Sequence, residues 1–175
     1  MSFFNAEPKR RGVKLLIAGI PAVGKSSMAA KLPGAVFIDL EDGLLGIRPK
    51  PRSEYCGTWS EVLKIVMSMG SKPEKNVQTL VIDSADWAER RLIEHVCQRH
   101  DKGSIEAFSY GKGYAMIGEQ WAAFLDALDA IARQGVSVVL TGHTHVKREN
   151  PPDQPDGFDR YTLRQTKHVA PLTME

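Results

Sequence analysis

Cysteine is scarce: 175 residues contain two, Cys56 and Cys97, far apart and with no CxxC pair or histidine at ligand spacing. That excludes a disulfide framework and a zinc-type Cys/His site, and two idle thiols suit a reducing cytosol. Net charge is nearly absent as well, at +2, so no global basic field announces a nucleic-acid partner, and any such partner must be met by local patches. Long hydrophobic runs are missing. The longest, residues 15–23, is too short to cross a bilayer and is broken by Gly19 and Pro21. The opening MSFFNAEPKRRG sets its charges after its apolar pair, the reverse of a secretory signal. There is no internal repeat, and the one biased tract is ENPPDQPDGFD. What remains is a chain with 42% apolar and 25% charged residues, long enough for one domain with a real core. It reads as a single domain over 1–175, with residues 1–12 as a flexible arm.

Apolar runs of strand length alternate with segments of helical periodicity, the pattern of an α/β fold whose mostly parallel sheet carries helices on both faces. Strands are predicted over residues 13–18, 35–40, 79–83 and 136–142. Helices are predicted over 25–32, from 58 to about 69, 85–100 and 114–134. The second helix opens on a capping box, Thr58 with Glu61, and ends at Gly70 and Pro73. The last carries Trp121, Phe124, Leu125, Leu128 and Ile131 at helical spacing, a core stripe. Beyond 142 the pattern predicts a long loop or hairpin, then a strand over 161–166.

Gly19, Ile20, Pro21, Ala22, Val23, Gly24, Lys25 and Ser26 fill the pattern GxxxxGK[ST], and they stand after an apolar strand and at the start of a helix. Glycines let the backbone wrap a phosphate without a Cβ clash, so that successive N–H groups, including that of Ser27, point inward. The helix N-terminus adds partial positive charge. In that arrangement Lys25 reaches the β- and γ-phosphates of a nucleotide, and the Ser26 hydroxyl ligates Mg²⁺. The bland alternative, a chance glycine-rich turn, has to explain every fixed position being filled in the right context.

Asp83 closes the strand at 79–83, where the carboxyl end of a neighbouring parallel strand faces the phosphate crevice, and there it can hold Mg²⁺. Its alternative is a helix cap for the segment starting at Ala85. Many P-loop ATPases place a glutamate directly after this aspartate. Here that position is Ser84, so a base must come from elsewhere. Strand alternation puts Phe37, Asp39 and Glu41 on one face, which brings Glu41 out at the carboxyl end, where it can orient water for attack on a γ-phosphate. A solvated acidic turn, Glu41-Asp42-Gly43, is the alternative.

Together these residues resemble the RecA-like recombination ATPases, in particular the small phage proteins thought to act in single-strand annealing or recombination. The resemblance covers residues 13–172 and implies a RecA-like P-loop NTPase core. It further implies ATP and Mg²⁺ as cofactors, ATP hydrolysis stimulated by single-stranded DNA, and self-association into a ring or filament with ATP at the subunit interface. The implied setting is the cytoplasm, that of the host cell if the chain is phage-encoded. Residues 37–41 look like the RecA segment that ends in the catalytic glutamate. Residues 140–143 fall where RecA senses the γ-phosphate, which gives that role to His143, although RecA has an amide side chain there. Residues 111–114 also look like the phage group. Residues 165–171 resemble the stretch whose two lysines reach the neighbour's nucleotide; only the second has a counterpart, Lys167, and Gln165 replaces the first. The family continues with more sheet past Met174-Glu175, which implies a truncated or partly ordered form.

By the same resemblance the DNA loops fall at residues 101–113 and 144–160. They carry Lys102 and Lys112, then Lys147, Arg148 and Arg160, with Phe108 and Tyr110 available to stack on bases. Glu149, Asp153, Asp156 and Asp159 offset the second loop's charge, and composition alone reads both as solvated connections. Two other functions stay open: a P-loop kinase, for which Arg48 and Arg52 would form a thin lid, and an ATPase regulated by a protein partner. His143 and His145 alternate on one strand with no carboxylate at ligand spacing in sequence, which argues against a metal pair.

Overall fold

The structure, a computed structural model, describes residues 10–48, 50–151 and 156–174. Most of the predicted N-terminal arm, the middle of the acidic tract including Asp153, and Glu175 therefore lie outside the described residues. Residues 10–12 are described, and Gly12 is held close to the body: its N–H donates to the Ala132 carbonyl at 2.8 Å, and the Val136 carbonyl leaves no room for a Cβ.

Five short segments form one parallel sheet: β1 (Lys14–Gly19), β2 (Ala35–Asp39), β3 (Arg52–Tyr55), β4 (Thr79–Asp83) and the first half of β5 (Ser137–Glu149). The spatial order is β1-β5-β4-β2-β3. Central β4 is buried at all five positions, as a strand covered on both faces must be. On one face Ile38, Leu80, Ile82 and Val138 pack against α2 (Trp59–Ser71), α3 (Ala85–Arg99) and α4 (Lys112–Arg133). On the other, Phe37, Val81 and Val139 meet the short α1 (Lys25–Ala29) and the 3-10 turn Leu44–Gly46.

The predicted α/β class with helices on both faces holds. The capping box holds in full, with the Glu61 N–H to Thr58 Oγ1 at 3.3 Å and the Thr58 N–H to Glu61 Oε2 at 2.9 Å. Boundaries move elsewhere. Helix α1 ends at Ala29 rather than residue 32, because the chain tightens into i→i+3 turns at Lys31 and Leu32 ahead of Pro33. Strand β3 carries no apolar alternation, being exposed at every position on the sheet edge, and so it was not expected. Of the long loop or hairpin expected beyond residue 142, it is the hairpin that forms. Residues 144–149 of β5 run antiparallel to β6 (Phe158–Leu163), so the final strand ends at 163 and not at 166. Residues 164–169 leave the sheet, and α5 (Ala170–Met174) follows.

The α-helical face is anchored on aromatic packing. Trp59 and Trp121 stack at 6.2 Å, and Phe124 sits 5.1 and 5.2 Å from their rings. Trp121 Nε1 donates to Thr173 Oγ1 at 3.0 Å, which ties α5 to α4. Trp121→Ala removes the largest shared side chain of this cluster and the α5 tether together. It is expected to cost about 3–5 kcal/mol, read as a lowered urea midpoint.

Candidate functional site

The register places four strand ends on one line. Asp39 pairs with Asp83 across β2 and β4, and Gly19 pairs with His143 across β1 and β5. Between β1 and α1 the backbone must turn sharply, and it does so with Ala22 at φ 62° and Gly24 at φ 95°; Gly24 is the N-cap of α1. Left-handed geometry at Gly24 costs little only because it lacks a Cβ. A turn of this kind suits N–H groups aimed at an anion in front of the helix N-terminus.

A cavity of about 240 Å³ opens there, lined by Ala22, Gly24, Lys25, Ser26, Ser27, Glu41, Gly43, Ile47, Asp83 and His143. Of the other loop residues, Gly19, Ile20, Pro21 and Val23 carry the turn without lining the cavity, and the side chains of Ile20 and Val23 are exposed. Lys167 is not among the lining residues either. A larger cavity of about 670 Å³ lies between β3 and α2, remote from the phosphate loop and bordered by the Arg52–Glu74 ion pair; nothing in it resembles an anion cradle.

Lys25 is the central electrostatic feature. It is 7% exposed, and its ammonium donates to the carbonyls of Gly19 (3.3 Å) and Ile20 (3.1 Å). Among the described residues it has no carboxylate partner. A buried ammonium held only by two carbonyls is under-compensated, and an anion in the cavity would complete it. Phosphate oxygens fit both the lysine and the surrounding N–H groups.

Asp83 is buried, and one of its oxygens accepts the Thr141 hydroxyl. It is not a helix cap: Ser84 occupies the N-cap position of α3. Ser26 and Asp83 both line the cavity, and a hydroxyl and a carboxylate are the hard oxygen donors that a magnesium ion takes.

Glu41 does not lie in a solvated turn. Asp39 Oδ1 accepts from the main-chain N–H groups of Glu41 (3.1 Å) and Asp42 (2.9 Å), and this turns the chain so that the Glu41 side chain, 25% exposed, faces inward. Burial raises the Asp39 carboxyl above its usual range, with those N–H bonds partly offsetting it. Burial also raises Glu41, while a hydrogen bond with Ser84 and the nearby His143 pull it back. The Ser84 hydroxyl bridges Glu41 Oε1 and Asp86 Oδ1, the latter at 3.0 Å.

Asp86 is the site residue that sequence reasoning missed. Both the main-chain N–H (3.0 Å) and ring Nδ1 (2.9 Å) of His143 engage its carboxylate. Burial opposes its ionisation, but the His143 and Ser84 bonds outweigh that and hold Asp86 below the ordinary aspartate value. The bond to an ionised carboxylate makes Nδ1 the donor and leaves Nε2 as the ring's second nitrogen. Folding thus supplies the carboxylates that sequence spacing did not: ligand-type atoms of Glu41, Asp86 and His143 lie within 4.8 Å of one another. Their donors and acceptors already satisfy each other, so the cluster reads as a hydrogen-bonded network.

The remaining candidates are scattered. Phe108 packs partly into the core and in a T-shaped pair with His100 at 5.6 Å; Tyr110 is fully exposed. Lys102 and Lys112 are exposed. On the hairpin, Lys147 pairs with Glu149 and Arg148 with Asp159, while Arg160 is exposed and unpaired among the described residues. Arg48 donates to its own loop's carbonyls at Leu45 and Ile47, and Arg52 pairs with Glu74, so neither forms a lid over the cavity. Lys167 is exposed. A family model described as an AAA domain matches residues 11–173. No curated protein matches the chain.

Proposed function

We propose, from the premise that this chain belongs to the AAA-domain family of P-loop ATPases, that it hydrolyses ATP with Mg²⁺ in response to single-stranded DNA, as an assembly of identical subunits. The buried, under-compensated Lys25 at the phosphate loop carries the nucleotide part of this reading. Lys25 and the N–H groups of residues 22–27 would bind the phosphates, and Ser26 and Asp83 would hold the metal. Bound Mg²⁺ neutralises developing charge on the transferring phosphoryl group. Glu41 orients the attacking water and accepts its proton, and His143, fixed by Asp86, meets the γ-phosphate end of the site.

The DNA part rests on continuity. Strand β5 carries His143 at the cavity and runs on, without a break, into the exposed hairpin at residues 144–163. A displacement at His143 is therefore delivered to the base of that hairpin, whose exposed Tyr161, Phe158, Lys147 and Arg160 offer stacking and phosphate contacts. No helix among the described residues is long and apolar enough to cross a membrane. Lys167, exposed and without an ion pair among the described residues, suits a cation offered to a neighbouring subunit's nucleotide in a ring or filament.

Turnover measured with single-stranded DNA, with small phosphoryl acceptors and with neither decides between the functions. Stimulation by DNA that weakens steeply with salt is the expected result. Stimulation by an acceptor makes the protein a kinase, and indifference to both leaves an ATPase that answers to a protein partner.

A further inference from the structure

Helix α3 begins directly after Asp83 and presents two carboxylates one turn apart, Asp86 and Glu89, toward the elements that cross its start. Asp86 holds His143, as described. Glu89 is only 3% exposed, an unusual place for a glutamate, and it has one set of partners. Its two oxygens accept from the Thr166 N–H at 3.2 and 3.0 Å, and Oε1 also accepts from the Thr166 hydroxyl at 2.6 Å. The neighbouring residues are held by β5 and by the start of α3. The Arg164 N–H donates to the His143 carbonyl at 2.8 Å, and Gln165 Nε2 donates to the Ala85 carbonyl at 3.3 Å. Gln165 is a weak anchor, because its buried Oε1 has no partner.

Lys167 therefore stands between two fixed points. Thr166 is gripped by Glu89 on one side. On the other, the His168 ring stacks on Tyr114 at 4.8 Å and Val169 is fully buried. Lys167 itself is exposed, as are Arg164 and His168. A lysine with four rotatable bonds is a poor instrument for transition-state charge unless its backbone is held, and a displacement of about 1 Å can cost on the order of 100-fold in rate.

We propose that Glu89 is a positioning residue that fixes residues 164–167 on the first turns of α3, so that Lys167 of one subunit meets the nucleotide bound by the next. The helix turn that orients His143 through Asp86 thereby also sets the cation delivered to the neighbour. This role presupposes that Lys167 acts across an interface, and mixing experiments separate the two claims.

Lys167→Ala is measured first. If it retains wild-type turnover, Lys167 has no catalytic role and the proposal falls with that premise. If it loses turnover, Glu89→Ala is expected to lose about 10- to 100-fold in kcat with ATP affinity unchanged. Glu89→Gln, which keeps one carbonyl acceptor for Thr166, should lose less. Complementation then assigns the function of Glu89. If it positions its own subunit's Lys167 for the neighbour, Glu89→Ala belongs with Lys167→Ala: mixing it with Glu41→Gln subunits restores activity, and mixing it with Lys167→Ala subunits does not. The opposite pattern, rescue by Lys167→Ala subunits alone, would show that Glu89 serves its own nucleotide site and would overturn the proposal. So would full turnover in Glu89→Ala. Should Glu89→Ala fold poorly by circular dichroism, Thr166→Val replaces it from the other end of the contact, and the same complementation pattern is required of it.

Discussion

Lys25→Ala is expected to abolish measurable nucleotide binding, losing at least about 100-fold in affinity. Among the described residues the ammonium is the only lysine or arginine head at the cavity that contains Ser26, Asp83 and Glu41, and none of them offers a second cation to substitute. A hydrogen bond to a charged group contributes about 1.5–3 kcal/mol, and an ammonium reaching two phosphates makes at least two. Their loss totals about 3–6 kcal/mol, or roughly 100- to 10,000-fold. The folded protein should tolerate the change well. The lysine donates to the carbonyls of Gly19 and Ile20, and burying an ammonium there is costly without an anion. The variant is therefore expected to keep or slightly raise its melting temperature without ligand while losing the stabilisation that ATP and Mg²⁺ give the parent protein. Calorimetric titration measures the first effect and thermal unfolding with and without ATP the second. Unchanged affinity would remove the phosphate-site assignment altogether.

The phosphate loop was legible because its physics is local: a strand end, glycines where the backbone must turn, a lysine and a hydroxyl at fixed spacing. Asp83 and Glu41 could be found by counting along strands, since alternation fixes which side chains reach the carboxyl end of a sheet. Asp86 and Glu89 gave no such signal. In sequence they are polar residues of a helix that also carries Arg90, Arg91 and Glu94, and a carboxylate on such a helix reads as solvated surface. Only the crossing of β5 and of residues 164–166 over the start of α3 buries them, and that crossing is tertiary. Strand β3 was missed for the opposite reason: an exposed edge strand buries nothing, so Arg52–Tyr55 shows no alternation. Between a loop and a hairpin beyond residue 142 the sequence left the choice open, because the tract ENPPDQPDGFD is rich in proline and charge while the backbone ladder of β5 and β6 leaves no pattern in side-chain polarity. The histidine pair shows the same limit. No carboxylate stands at ligand spacing beside His143 in the chain, yet two reach it in space.

Glu41→Gln is expected to leave ATP affinity within a few-fold of the parent while slowing hydrolysis by about 100-fold or more, the effect of removing a group that orients and deprotonates water. The substitution is nearly isosteric, and Gln retains a carbonyl that can accept from Ser84, so the surrounding network with Asp86 and His143 should persist. That separates this variant from one that merely disturbs the site. Asp42 is the internal control. It is exposed, its backbone is left-handed at φ 56°, and it does not line the cavity; Asp42→Asn should turn over normally. The pH profile supplies an independent reading. A base must be ionised to act, and burial raises Glu41 above the ordinary glutamate value. The acid limb of kcat/KM, which reports the free protein, should therefore fall at a pH above that value. Ser84→Ala removes a hydrogen bond that lowers the Glu41 pKa, so it should move the limb still higher. In Glu41→Gln the limb should vanish from the residual activity. Survival of full turnover in Glu41→Gln, with loss in Asp42→Asn, would transfer the role to the neighbouring carboxylate, and an acid limb unmoved by Ser84→Ala would mean that the titrating group lies elsewhere.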